Sequence, residues 1–475
     1  MSYNNFMKKH IEAYVSLGLS AALHSQRIIT LARAILRPFP NTEEAIRIIN
    51  YRLKKMFVRP AIPLTQYELE QRKNMIATSN KIQYILFDVS GISIRDLGSG
   101  IQRTVRSILL ETINNPVNGY HILPVRIAAD GQMLQANKFT SSLIGEETNS
   151  TDKVIEINPG DIFLSTDLHL PLTFYTLQPL RKKGLRVIFT IYDIFAIKLD
   201  VFPKAFAMAF SDWFTGVLTT ADAIVCDSRS VADEVHDWLR QHPEARQSPL
   251  PIGYFHLGAD LESSKPTEGT SQDEASMLAV LRERPTLLMV GTVEPRKGHA
   301  QALDALEALW KEGTDINLVI VGKEGWRSHA LTRRLRRHPR RNKQLFWLEK
   351  ASDALLMQLY AQSTALLAAS YAEGFGLPLI EAAHYGLPVI ARDIPVFHEV
   401  AGDFAFYFPN SDSAALADSL RHWLQLHAEG QAPRSADMPT LTWAQSTQQL
   451  LKVILENRWY TTYQPADARI APDPE

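Results

Sequence analysis

A chain of 475 residues with 45% apolar content can bury two separate cores, which makes a two-domain protein the first expectation. Its 50 basic and 51 acidic residues nearly cancel, so no global field draws it to nucleic acid, and no nucleic-acid partner is expected. One cysteine, Cys226, excludes an internal disulfide and suits a reducing compartment; it lies in an apolar run and reads as a packing residue. With no apolar run of roughly eighteen residues and no secretory signal to be read, a cytoplasmic protein is expected.

Residues 1–78 read as a helical extension, with Ile11 to Leu36 apolar along one side and a second helix over Thr42 to Phe57. Packing on the protein body, self-association and lying on a membrane are all open to it, packing being the default. An alternating strand–helix series then opens at Ile82 to Val89, continues through the loop Gly98-Ser99-Gly100-Ile101-Gln102-Arg103, and enters a helix ending near Asn114. Further strands are predicted at His121 to Ile127, Asp161 to Ser165, Arg186 to Ile191, Ala223 to Cys226 and Ile252 to Leu257. Such alternation implies a parallel sheet covered by helices, and residues 79–262 are assigned to a first domain of this kind. Composition breaks over Leu261 to Met277, which is polar with Pro and Gly, and residues 263–283 are read as a linker. A second series runs from Thr286 to about Phe408 inside a domain over 284–442, followed by a helix at about 443–458. Residues 459–475 read as a tail, of which the last dozen, with Pro465, Pro472 and Pro474, read as disordered.

Chemistry concentrates in Glu373 to Glu381, EGFGLPLIE, where two carboxylates bracket a glycine-rich turn into a helix. Pro378 suits a first helical position, whose N–H would have no intrahelical partner. Gly374 and Gly376 let the backbone approach a ligand, and the helix N-terminus favours an anion such as a diphosphate. Glu381 and Glu373 can each accept from sets of hydroxyls, so the run matches a sugar, a diphosphate and a ribose in turn. Upstream, the apolar strand Thr286 to Val290 runs into Gly291-Thr292-Val293-Glu294-Pro295-Arg296-Lys297-Gly298. An isolated Arg-Lys pair reads as a solvated basic turn. Beside the acidic run it reads as a clamp at the carboxyl end of a parallel strand, where open α/β sheets bind ligands.

Together GTVEPRKG (Gly291 to Gly298), VGKEGW (Val321 to Trp326) and EGFGLPLIEAAHYGLPVIA (Glu373 to Ala391) resemble the family 4 retaining glycosyltransferases over about residues 81–460. The resemblance implies an α/β chain of GT-B architecture, two Rossmann-like parallel-sheet domains facing a cleft, here with a helical N-terminal extension. It implies that the helix near 443–458 crosses back to the first domain. It also implies transfer of a sugar from a nucleotide-sugar to a hydroxyl, with retention at the anomeric carbon. Catalytic roles fall to Arg296, Lys297 and Glu373, and donor binding to Gly374, Phe375, Gly376, Leu377, Glu381, Gly322, Lys323 and Lys350.

The resemblance further implies acceptor or cleft contacts at Gly100, Arg103, His169, Asp193 and Arg229. Family members carry His-Asp where this chain has Tyr192-Asp193, and His169 is the candidate replacement. No D-x-D pair stands in a plausible metal loop, so no metal and no cofactor is expected. The GIQR, YDIF and HLGAD runs look most like bacterial mannosyltransferases of O-antigen or exopolysaccharide synthesis. GDP-mannose is then the expected donor and a glycan or lipid-linked oligosaccharide the acceptor, at the inner face of the cytoplasmic membrane.

Three alternatives remain: a nucleotide-sugar epimerase, a phosphorylase, and a non-catalytic sugar-binding scaffold. The basic cluster Arg333, Arg334, Arg336, Arg337, Arg340, Arg341 and Lys343 reads either as a solvated helix and loop or as a contact for an anionic membrane or lipid-diphosphate.

Overall fold

The computed structural model describes residues 61–465 with breaks at 80–81, 97, 118, 129, 147–150, 170–173, 262–271 and 410, together with 44, 47–49, 51, 52 and 55. Contacts divide the chain into two units, Met1–Val58 with Pro203–Ala209, and Arg59–Phe202 with Phe210–Glu475. In the first, Glu44 Oε1 accepts from the Ala205 amide at 2.9 Å, and Tyr51 donates to the Met208 carbonyl at 3.3 Å. The helix expected over Ile11 to Leu36 lies outside the described residues, as does most of the Thr42 to Phe57 segment, whose described residues are helical.

In the second unit, described residues form two sheets. The first contains β1 (Gln83–Asp88), β2 (Tyr120–Ile127), β3 (Met133–Gln135), β4 (Lys153–Val154), β5 (Ile162–Ser165), β6 (Arg186–Ile191), β7 (Ala223–Cys226), β8 (Leu250–Tyr254) and β15 (Thr461–Tyr463). Their order is β15-β8-β7-β6-β5-β1-β2-β3-β4. β2, β1, β5, β6, β7 and β8 run parallel, while β3, β4 and β15 pair antiparallel at the edges. The second sheet, β9 (Thr286–Val290), β10 (Asn317–Val321), β11 (Leu345–Leu348), β12 (Ala365–Ala368), β13 (Val389–Arg392) and β14 (Ala405–Phe408), is parallel throughout in the order β11-β10-β9-β12-β13-β14. Strands such as IFLS, AIVC and NLVIV are buried along their whole length. A parallel strand is covered on both faces, which is why these runs are continuously apolar rather than alternating.

Two sequence assignments need correction. The stretch read as linker contains a helix, Gln272–Leu281, while 262–271 lie outside the described residues. The stretch 459–475 read as a tail contains β15, which pairs Thr461 with Ile252 and Tyr463 with Leu250 and buries Tyr463 completely, while most of the last dozen residues, read as disordered, lie outside the described residues. β8 would otherwise be an open edge, and a Thr-Thr-Tyr run suits a short covering strand. The helix Trp443–Leu455 starts with a Thr442–Gln445 capping box and packs on the helix Gly100–Asn114 beside the first sheet. Asp260 accepts from the Trp443 amide at 2.6 Å.

Candidate active site

The site forms where the carboxyl ends of β9, β10 and β12 meet those of β6 and β7. At the ends of β9 and β10 the backbones nearly touch: a Cβ on Gly322 would lie 1.9 Å from the Gly291 carbonyl oxygen. Gly322 thus serves strand packing here, with its carbonyl accepting from the Trp347 indole at 2.8 Å. Beyond β9 the chain makes a 3-10 turn, Pro295–Lys297, and Gly298 at φ 72° starts the helix His299–Lys311. Only this tight turn places adjacent Arg296 and Lys297 on the same target.

That target is Glu373. Arg296 Nη1 donates to its Oε2 at 2.9 Å, Ser370 Oγ to its Oε1 at 2.6 Å, and Lys297 Nζ also to Oε1. Burial alone would raise the Glu373 carboxyl, but Lys297 and Arg296 outweigh it and hold it at about 2. The Arg296 guanidinium stands 5.4 Å over the Phe195 ring and donates further to Glu294 and the Ala372 carbonyl. Beneath lies a cavity of about 20 Å³, room for one water, lined by Lys297, His299, Ser370, Glu373, Gly376 and Phe397. Burial, with Lys297 adding to it, pushes the His299 imidazole down to about 3, so it is neutral.

The EGFG turn is pressed against the first sheet's loops. A Cβ on Gly374 would lie 1.8 Å from the Tyr192 carbonyl oxygen, and Ser228 Oγ donates to the Gly374 carbonyl at 2.6 Å. Phe375 is buried, its ring 5.4 Å from that of His256. Gly376, at φ 102°, caps the helix Leu377–His384, and its missing Cβ makes room for Phe397. Gly100, across the cleft, lies beside the Leu377 side chain, whose Cδ1 a Cβ there would approach to 3.3 Å.

Glu381 sits one turn into that helix, 3% exposed. It accepts from Arg103 Nη1 at 2.7 Å and from Tyr360 at 2.6 Å, and Arg103 Nη2 reaches Asp353 at 2.8 Å. The first-domain arginine and the second-domain carboxylate are therefore direct partners. Glu399, on the helix Pro395–Ala401, accepts from the Arg229 and Ser230 amides, from Ser230 Oγ and from His256 Nε2. It thereby receives the N-terminus of the helix Arg229–Gln241, a favourable place for an anion. Burial opposes ionisation, yet His256, Ser230 and the two amides hold Glu399 at about 2.

The remaining sequence candidates separate. Asp193 is half-buried; desolvation raises its carboxyl, against the pull of Arg296, which places it beside the clamp. Tyr192 replaces the family histidine but turns its hydroxyl inward, donating to the Thr166 carbonyl at 2.7 Å. His169 is half-buried at the end of β5; burial lowers its imidazole while Asp88 pulls the other way. Arg229 contributes its amide, while its side chain is exposed. Lys323 contributes a backbone carbonyl to the Val293 amide, and Lys350 is exposed on the loop after β11.

Glu294, Ser228, His256, His299, Tyr360, Asp353 and Glu399 were not singled out as site residues in the sequence. All but His299, which lines the small cavity, have a partner distant in the chain, although Glu294 is also two residues from Arg296 and Ser228 carries an N-cap signal. In the basic cluster, Arg334 pairs with Asp304 and Glu307, Arg336 with Glu324 and Glu349, and Arg340 lies over Trp310, so much of its charge is met internally. Among the described residues no helix is long and apolar enough to cross a membrane.

Residues 274–436 match the family described as Glycosyl transferases group 1. A serotype-specific mannosyltransferase, WbdA of Escherichia coli, is 41% identical over 374 residues, 78% of this chain and 44% of that protein. This chain thus spans less than half the length of that curated relative. Among solved structures, a sucrose-phosphate synthase from Thermosynechococcus elongatus superposes with a TM-score of 0.54 at 17% identity, covering 79% of this chain and 99% of that one. The Anabaena protein HepE, in complex with UDP and glucose, gives 0.54 at 15% identity over the same shares. At these identities the likeness shows the fold alone, and the fold is GT-B.

Proposed function

We propose that this chain, whose residues 274–436 match the group 1 glycosyl transferases, moves mannose from GDP-mannose to a hydroxyl of a glycan or lipid-linked acceptor in bacterial surface-polysaccharide synthesis. The observation that carries the transfer reading is the convergence of Arg296 and Lys297 on Glu373. Two cations held at the mouth of a parallel sheet suit a leaving diphosphate, whose charge grows as the glycosidic bond breaks. The carboxylate between them suits the sugar hydroxyls and the positive charge that develops at the anomeric carbon. The preference for mannose rests on the mannosyltransferase name of the relative.

In this reading the bond from the anomeric carbon to the diphosphate oxygen breaks, and the acceptor oxygen bonds to the same face. The acceptor proton passes to the departing diphosphate, which leaves as GDP. Arg296 and Lys297 supply the positive charge for this step, and no metal is required of it. Arg103, Ser228 and Glu399 bring the first domain onto the donor loop and exclude water, which limits hydrolysis of the donor. The enzyme would work in the cytoplasm, peripheral to the membrane that carries a lipid-linked acceptor.

The test is thermal stability of the full chain against GDP, UDP, GDP-mannose, UDP-glucose, UDP-N-acetylglucosamine and dTDP-rhamnose, then GDP release for the one that binds. A ligand at about a hundred times its Kd adds about 2.7 kcal/mol. Selective stabilisation by GDP and GDP-mannose supports the reading; a shift with UDP-sugars alone overturns the donor, and none at millimolar concentration overturns the transferase.

A further inference from the structure

The run VGKEGW lies against the site without a part in the reaction just described. β10 ends at Val321, and the chain then pairs with the segment before Arg296: the Val293 amide donates to the Lys323 carbonyl and the Gly325 amide to the Val293 carbonyl, both at 2.9 Å. A Cβ on Gly325 would fall 2.7 Å from Thr292 and 2.9 Å from the Val293 carbonyl, so glycine permits this approach. The outcome is that the Trp326 indole N–H donates to Glu294 Oε2 at 2.9 Å.

Glu294 is 7% exposed. Its other oxygen accepts from both Nε and Nη2 of Arg296, at 3.2 and 2.9 Å. A guanidinium is a rigid planar fork, so fixing one edge fixes the direction of the other. The other edge is Nη1, which donates to Glu373 and the Ala372 carbonyl. Trp326 is tied in turn to the first domain. Its ring meets Phe202 edge-on at 6.3 Å, and neighbouring Arg327 donates to the Asp200 carbonyl at 2.6 Å.

We propose that Glu294 and Trp326 are positioning residues that aim the Arg296 guanidinium at the leaving diphosphate. The proposal rests on the reading of Arg296 as a diphosphate clamp, and sugar identity does not enter it. A salt bridge that merely stabilises the turn would leave anion binding indifferent to the tryptophan. A purely Coulombic role for Glu294 has the opposite sign from positioning, because removing a negative charge beside Arg296 tightens anion binding.

The experiment is calorimetric binding of inorganic pyrophosphate to the full chain, for wild type, Glu294→Gln, Trp326→Phe, Arg296→Ala and each of the first two combined with Arg296→Ala. Positioning predicts that Glu294→Gln weakens pyrophosphate about tenfold and Trp326→Phe about threefold, the sizes of a charged and a neutral hydrogen bond lost. Neither should weaken it further in the Arg296→Ala background. Trp326→Phe keeps an aromatic ring and the charge count while removing the indole N–H, so it carries the test if Glu294→Gln folds poorly. In turnover of GDP-mannose the same variants should lower kcat more than they raise KM. Unchanged or tighter pyrophosphate binding, or losses that add to Arg296→Ala, overturns the proposal. A wild type that binds pyrophosphate but does not turn over GDP-mannose overturns the donor assignment instead.

Discussion

Arg103 and Glu381 meet across the cleft at 2.7 Å, an arginine at the head of the helix Gly100–Asn114 completing a carboxylate on the helix Leu377–His384. Read from sequence, Glu381 was available to a ligand's hydroxyls. In the folded protein both of its oxygens have protein partners, Arg103 and the buried Tyr360 hydroxyl.

Glu381→Ala is therefore expected to act twice. It removes an acceptor for ligand hydroxyls and leaves Arg103 with Asp353 alone. Donor binding should weaken by about 1–3 kcal/mol, the cost of a lost hydrogen bond to a charged group. A double-mutant cycle with Arg103→Ala, read by denaturant unfolding, should show a coupling energy above about 0.5 kcal/mol. Independent losses would mean the pair contributes nothing beyond its parts.

Gly374→Ala should be far more damaging than a methyl group suggests. The added Cβ would lie 1.8 Å from the Tyr192 carbonyl oxygen, a backbone atom that cannot step aside. The loop carrying Glu373 must then shift away from the first domain. Displacements of about 1 Å in a reacting group can cost about a hundredfold in rate. We expect kcat to fall by at least about tenfold with far-UV circular dichroism unchanged; wild-type turnover would show that this close approach does not matter.

His299 sets an acid limit on stability. Its imidazole is fully buried and held down to about 3 from an ordinary 6.5, so the unfolded chain binds a proton that the folded one refuses. For a depressed folded value, the stability is fully present above the unfolded value and is lost as pH falls. Between pH 6.5 and about 3 the loss is about 1.4 kcal/mol per pH unit from this group. Denaturant unfolding from pH 7 to 5 should show wild type losing more stability than His299→Asn, with parallel curves counting against a neutral buried imidazole.

Chelation should leave the reaction intact. With Arg296 and Lys297 supplying the positive charge, sugar transfer in excess EDTA should stay within about twofold of the untreated rate, since a Lewis acid in that role would be worth several kcal/mol. Loss of activity on chelation, restored by magnesium or manganese, would contradict the assignment.

Much of the fold was legible because its signals are local. Val187-Ile188-Phe189 and Leu318-Val319-Ile320 are short apolar runs ended by turn residues, and both are strands buried throughout. The turn that carries Arg296 and Lys297 was legible for the same reason, since Pro295 and Gly298 bound a turn that the sequence itself dictates. The linker helix was missed because Gln272–Leu281 begins in polar residues that carry no periodic apolar face. β15 was missed because three residues offer too short a pattern until β8 lies beside them.

What the sequence by itself determined is the set of pieces: two strand–helix series, a basic turn after β9, and a glycine-bracketed acidic turn after β12. These depend on hydrophobic spacing and backbone preference over a few residues, which neighbours in the chain decide. Only the tertiary structure decided what each charged group faces. Arg103 and Glu381 stand 278 positions apart, and Ser228 and Gly374 stand 146 apart. No local pattern encodes such pairs, because they exist only when two separately formed sheets present their carboxyl ends to one cleft.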